Sequence, residues 1–273
     1  MIEGILIEGI KTIKTKGYLV TTVFGLSDDL KAELRKRFTA ICRGEENSRL
    51  NRGSYTYKRT VEEFLKRIES KPEKIKTGML GELIVHVLTG LLHPDHKTIV
   101  PYFNLEERSI RKGFDSVIYS PDMGIWVYEV KSSKNTSLQV NVDSKTKSLI
   151  KTAHDDLSAK LADQDDTTRI WDNAMHGFQV ACSHSDAKRI LKEIILDYQD
   201  AARTEDCSPN LHNVILSSVL ISNSDKEIGA DCVGEKYKEY KSTYGKLFIF
   251  AVHKSLSIDL LDFFSQEVAD EAS

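Results

Sequence analysis

Residues 113–133 read GFDSVIYSPDMGIWVYEVKSS. Two runs rich in β-branched and aromatic residues, 113–120 and 125–133, flank Pro121-Asp122-Met123-Gly124. Pro presets φ in such a turn and Gly tolerates positive φ, so the pattern predicts an antiparallel hairpin. Side chains alternate between the two faces of a strand. Ile125, Val127, Glu129 and Lys131 therefore share one face of the second strand, and Trp126, Tyr128 and Val130 share the other. On the first strand Asp115 aligns with Val117 and Tyr119. A one-residue bulge at Gly124 sets Asp115 opposite Glu129. Two carboxylates then stand side by side, with an ammonium two residues away. Sheet interiors avoid such clusters because unpaired buried charge is expensive. A hard divalent cation between the acids resolves the repulsion, and Mg²⁺ prefers one or two carboxylates plus waters and phosphate oxygens.

The bare triplet of an acid, any residue and Lys carries little information. It recurs at Asp95-His96-Lys97, Asp143-Ser144-Lys145 and Glu239-Tyr240-Lys241. Glu129-Val130-Lys131 differs by its context, at the end of an apolar strand with an Asp-bearing strand just upstream. A third acid joins it from further upstream. Thr77–Leu92 (TGMLGELIVHVLTGLL) is almost wholly apolar and reads as a buried helix, yet Glu82 sits in its middle, where a charge is least expected. Glu82 is read either as a helix acid that reaches solvent or a basic partner, or as an outer ligand of a metal or its water. His86, one turn on along the same face, reads as a structural residue.

Outside this group, Leu30, Leu34, Phe38 and Ile41 recur at helical spacing after Ser27, an N-cap residue type. Arg59–Ile68 reads as a second amphipathic helix, ended by Ser70-Lys71-Pro72. Thr98–Phe103 reads as a strand and Asp143–Ala162 as a long polar helix. Asp163–Thr168 reads as a loop, Ile170–Gln179 is ambiguous, and Ser185–Ala202 is helical. Asn213–Ile221 and Lys246–Val252 are further strands, and Ser257–Val268 is a closing helix. From Thr77 onward this order gives a mixed α/β domain with its sheet flanked by helices.

The chain has 273 residues with a formal charge of −3, distributed unevenly. Residues 1–76 carry 17 basic and 11 acidic side chains. The densest basic stretch, Lys31–Arg37, is followed by Arg43, Arg49, Arg52, Lys58 and Arg59. It suits either phosphate contact or a solvated helix face. The overall charge argues against indiscriminate coating of DNA by this chain alone. No apolar run approaches the roughly 20 residues of a membrane span, and the first residues lack the order of a secretory signal. The four scattered cysteines form no CxxC pair. A soluble cytoplasmic protein without membrane contact is expected.

The array Glu82, Asp115 and Glu129-Val130-Lys131, in α-β-β-β-α-β order, resembles the PD-(D/E)XK nuclease superfamily, with an N-terminal extension before the core. Glu82 matches the helix glutamate, Asp115 the metal-binding aspartate, and Glu129 with Lys131 the (D/E)xK strand. Phe114 stands where the superfamily often has Pro. A closer resemblance spans about residues 60–265, through 77–88, 112–119, 126–133, 214–223 and 248–264. These segments are similar to the nuclease subunit of the Hachiman and Abp antiphage systems, with Ser132 and Ser133 a mild divergence.

The resemblance implies a bacterial defence nuclease that cuts DNA with Mg²⁺ (Mn²⁺ as substitute) and acts with a superfamily 2 helicase partner. In that reading Asp115 and Glu129 hold the ion with the Val130 carbonyl, and Glu82 acts through a water or a second ion. Lys131 attends the attacking water or the transition state. Arg111, Lys112 and Lys134 meet phosphates at the rim, with Lys145, Lys147 and Lys151 weaker candidates. Residues 77–273 form the nuclease domain, and residues 1–76 serve partner docking or nucleic-acid contact. The alternative is an inactive nuclease-fold module that binds nucleic acid and recruits or regulates a helicase. An unrelated enzyme built on His93-Pro94-Asp95-His96, His154-Asp155-Asp156 or Cys182-Ser183-His184 lacks further ligands or partners in sequence. No phosphate-binding loop or dinucleotide glycine signature is present, so no nucleotide cofactor is expected on this chain.

Overall fold

The computed structural model describes residues 2–94, 96–103, 113–120, 124–181, 186–203, 207–255 and 260–269. In chain order they form β1 (Ile2–Ile7), β2 (Ile10–Lys14), β3 (Tyr18–Val23), α1 (Asp28–Arg43), α2 (Glu45–Leu50), α3 (Tyr57–Glu69) and α4 (Glu73–Leu92). There follow β4 (Lys97–Thr98), β5 (Ser116–Ser120), β6 (Gly124–Asn135), α5 (Val142–Ala162), α6 (Gln164–Ala181) and α7 (Asp186–Arg203). The chain continues through β7 (Asn213–Ser222), α8 (Ala230–Tyr240), β8 (Lys246–Ser255) and α9 (Leu260–Ala269).

One mixed sheet of eight described strands runs in the order β1-β2-β3-β8-β7-β6-β5-β4. Its centre is parallel, with β6 on β7, β7 on β8 and β8 on β3. Helical crossovers make those parallel pairings, as they must. Antiparallel strands extend both flanks. From α4 the order is α4-β4-β5-β6-α5-α6-α7-β7, the expected α-β-β-β-α-β succession with two further helices before β7.

The two sheet faces bury two separate cores. Val127, Leu216 and Ile249 pack toward Ile150, Ala153 and Leu157 of α5 and Trp171 and Phe178 of α6. Tyr128, Val130 and Val219 pack on the opposite side, toward α1, α3, α4 and α9. Ser27 caps α1 by accepting the Leu30 N–H at 3.2 Å, and Leu30, Leu34, Phe38 and Ile41 are buried as their spacing requires. Phe38 meets Phe64 of α3 and Phe264 of α9 at centroid distances of 5.5 and 4.6 Å.

Residues 1–76 are built into this sheet and the second core. β3 pairs with β8 over Tyr18–Val23, so the sheet has no gap at the 76/77 boundary. α4 is the one described helix long and apolar enough to cross a membrane, and here it packs against β6 and α1. The expected strand 98–103 is shorter. Only Lys97–Thr98 pairs as a strand, because the Tyr102 and Phe103 N–H groups turn away to the Ile41 and Cys42 carbonyls at the end of α1. The expected loop 163–168 instead starts α6. The Asp163 Oδ1 accepts the Asp166 N–H at 2.8 Å, and Asp165 and Asp166 fill the first turn, where acids favour the helix dipole.

Candidate active site

The hairpin ladder runs from Ser116 opposite Tyr128 to Ser120 opposite Gly124 with no shift of register. Gly124 takes φ +77°, the left-handed conformation the turn needs. Continued by one residue, the ladder sets Asp115 across from Glu129, as expected from the sequence. β5 ends just short of that pair, and the Asp115 side chain takes over from its backbone. The Val130 N–H donates to the Asp115 Oδ2 at 2.6 Å. In a strand, the N–H and C=O of one residue point to the same neighbour. The Val130 carbonyl therefore faces the same opening beyond the end of β5.

Glu129 is 1% exposed, and its charge is compensated locally. The Lys131 Nζ donates to its Oε1 at 2.7 Å, and the Lys160 Nζ donates to Oε1 and Oε2 at 3.0 and 2.9 Å. Lys131 also pairs with Asp156 of α5 at 2.8 Å. Burial alone would weaken the Lys131 proton, but Glu129, Asp156 and Asp115 outweigh it and hold the ammonium more firmly than usual.

Glu82 reaches this group from α4, on the other side of the sheet. Burial first, then the charges of Asp115 and Glu129, raise its carboxyl well above the usual range, while Lys131 opposes them. Burial and Glu129 push Asp115 up to about 7, against the Val130 N–H and the ammoniums of Lys160 and Lys131. Gly81 permits this approach of α4. A Cβ there would fall 1.7 Å from the Ser132 Oγ and 2.7 Å from its Cβ. His86 is buried, edge-on to Tyr102, and hydrogen-bonds to the Asp115 backbone. Burial lowers its imidazole to about 4, so it stays neutral and braces the start of β5, the structural part its spacing suggested.

The structure thus brings Glu82, Asp115, Glu129, Val130 and Lys131 into one group. Lys134 lies at the exposed end of β6, on the α4 side, with Glu73 at 3.9 Å. Arg111 and Lys112 lie outside the described residues. Lys147 pairs with Glu235 and Lys151 with Asp155 at the surface, so neither turns to the acids. Sequence reasoning missed Lys160 and Asp156. Lys160 sits between Leu157 and Leu161, both fully buried, and this flanking of an apolar stripe was the available signal. Ser218, in register with Lys131 on β7, is 1% exposed and its Oγ has no partner among the described residues.

Among the described residues no group of three His, Cys, Asp or Glu side chains is gathered tightly enough to hold a metal as it stands. The donor set still suits a hard cation. Two of the three acids are held toward their neutral form by burial and mutual repulsion, which added positive charge would relieve. The rival histidines lie elsewhere. His93 and His96 stack at 4.4 Å and line an apolar cavity of about 500 Å³ with Trp126, Tyr128, Phe248 and Phe250. His154 stacks on Tyr240 at 3.8 Å, and Cys182-Ser183-His184 lies outside the described residues.

No curated protein matches the chain. A family model, HamA, matches residues 16–261, from β3 through the start of α9. That span includes every acid and lysine of the group just described, and the chain belongs to the HamA family, the nuclease-like subunit of the Hachiman antiphage system.

Proposed function

We propose that the chain hydrolyses DNA phosphodiester bonds as the metal-dependent effector of an antiphage system, in the cytoplasm and together with a helicase. The observation that carries this reading is Asp115 opposite Glu129 at the end of β5, with Lys131 bonded to one of them. Asp115, Glu129 and the Val130 carbonyl would hold Mg²⁺ or Mn²⁺, with Glu82 engaged through a water or a second ion. Such an ion offsets the repulsion between an anionic nucleophile and phosphate and acidifies bound water.

The chain's own groups supply the rest. Lys131, held protonated by its acid partners, serves as a donor that steadies charge on the phosphate rather than as a base. Asp115 fixes the hairpin end through the Val130 N–H, and His86 fixes Asp115. Lys134, Arg111 and Lys112 are proposed to meet phosphates at the rim. The basic stretch of residues 1–76 makes a weaker case. Lys31, Lys36 and Arg37 pair within α1, Arg35 with Glu267, and Arg59 with Glu62, as on a solvated helix face. Docking of the helicase on residues 1–76 belongs to the same proposal, with ATP turnover assigned to the partner.

The expected outcome is Mg²⁺-dependent nicking of plasmid DNA, tested with the helicase present and absent. Glu129→Ala and Lys131→Ala should lower it by about 10²-fold or more with melting curves that still show a cooperative fold. Equal cutting by all three proteins removes the catalytic assignment. One observation favours the second reading, an inactive nucleic-acid-binding module: both Glu129 oxygens are already engaged by lysines. DNA binding without cutting under any divalent metal would select it.

A further inference from the structure

Lys160 stands at the centre of the site, yet neither the motif nor the family match assigns it a part. Its ammonium spans both oxygens of Glu129, at 3.0 and 2.9 Å, and those are its described side-chain hydrogen bonds. Lys131, by contrast, divides itself between Glu129 and Asp156. The position of Lys160 is fixed from behind. Leu157 and Leu161 are fully buried on either side, and the Lys160 carbonyl accepts the Thr167 hydroxyl at 2.9 Å where α6 begins.

A carboxylate with both oxygens on ammonium groups cannot give one to a divalent ion unless a lysine withdraws. Withdrawal alone is unfavourable, because it strands a buried charge. Withdrawal in exchange for an incoming cation is not, since the charge stays compensated. Lys131 touches only Oε1, and Lys160 is the described partner of Oε2, so it is the withdrawal of Lys160 that frees an oxygen.

We propose that Lys160 is a positioning residue that acts as the resident counter-ion of Glu129 and is displaced when a divalent cation enters. This rests on the assignment of Glu129 as a metal ligand. Once displaced, the ammonium has given up Glu129, and an incoming phosphodiester is an anion placed to receive it, in competition with Asp156 one turn back on α5. Cation and nucleic acid then assist each other's binding, and the site stays closed by its own lysine while both are absent. The same exchange accounts for acids that suit a metal in kind but do not gather into a cage unaided.

Calorimetric titration of Mn²⁺ into the full chain, without nucleic acid, tests the exchange. Lys160→Met and Lys160→Gln should bind Mn²⁺ tighter than wild type by roughly tenfold or more, because a competing charge is gone. Lys160→Arg should bind like wild type. Adding a short single-stranded oligonucleotide should tighten Mn²⁺ binding to wild type and leave Lys160→Met unchanged. The two uncharged variants guard against one of them misfolding, which melting curves report. Wild type and both uncharged variants binding Mn²⁺ equally would overturn the role of Lys160 and leave the metal reading intact. Mn²⁺ binding to none of them would overturn both.

Discussion

Asp115 carries the clearest pH signature of the site. Its carboxyl is pushed up to about 7 by burial and by Glu129, from an ordinary value of 3.8. Between those limits the folded protein holds a proton that the unfolded chain has released, so stability falls as pH rises from about 4 to about 7. Asp115→Asn removes the titration and keeps an oxygen to accept the Val130 N–H. In metal-free buffer the variant should be more stable than wild type by about 1–3 kcal/mol near pH 8, and equal to it near pH 4. Thermal melts across that range check the sign. A difference that does not change with pH would mean that Asp115 does not titrate in this window. The price of this acid at neutral pH is what a bound cation would refund.

At the scale of elements, the contact of α4 with β6 decides whether Glu82 reaches the other acids. Gly81→Ala would drive a Cβ into the Ser132 side chain and push the helix off the strand. A loss of about 1–3 kcal/mol is expected, the usual range for overpacking. Ser132→Gly should restore at least half of it, because the next neighbour, the Val219 Cβ, lies at 3.5 Å. Additive losses in the double variant, measured by denaturant titration, would refute direct contact. This contact also marks how far the sequence could be read. The hairpin, α1, α3, α4 and α5 were legible because apolar period, caps and turn residues agreed there. The loop read at 163–168 failed because Asp163 is a cap whose acids look like a solvated turn. β1 to β3 and α8 went unread. Ile10–Lys14 mixes Lys and Thr among its isoleucines, and Ala230–Tyr240 has only a narrow buried stripe. At the site, Glu82, Asp115, Glu129 and Lys131 were legible from context. Lys160 was not, because its partner lies 31 residues away and no local pattern records a pairing across elements.

For the whole molecule, the integration of the first strands has a direct test. Leu19, Val20, Thr21, Thr22 and Val23 are buried against β8 and the cores beside it. Deleting residues 1–23 removes these contacts and bares the β8 edge. The shortened chain should lose cooperative melting and become sensitive to limited proteolysis, whereas a detachable docking arm would come away without either change. A fragment that starts at residue 77 should fare worse, since it also lacks Phe38 and Phe64, which pack on Phe264. The pairing of β3 with β8 joins residues 18–23 to 249–254, almost opposite ends of the chain. During synthesis β3 can pair with β2 at once, but its other edge stays open until β8 has emerged. Closing so long a loop makes this pairing a late and slow event. A nascent or prematurely stopped copy therefore cannot complete the sheet that carries the acids, and the group they form is assembled only once β8 has closed on β3.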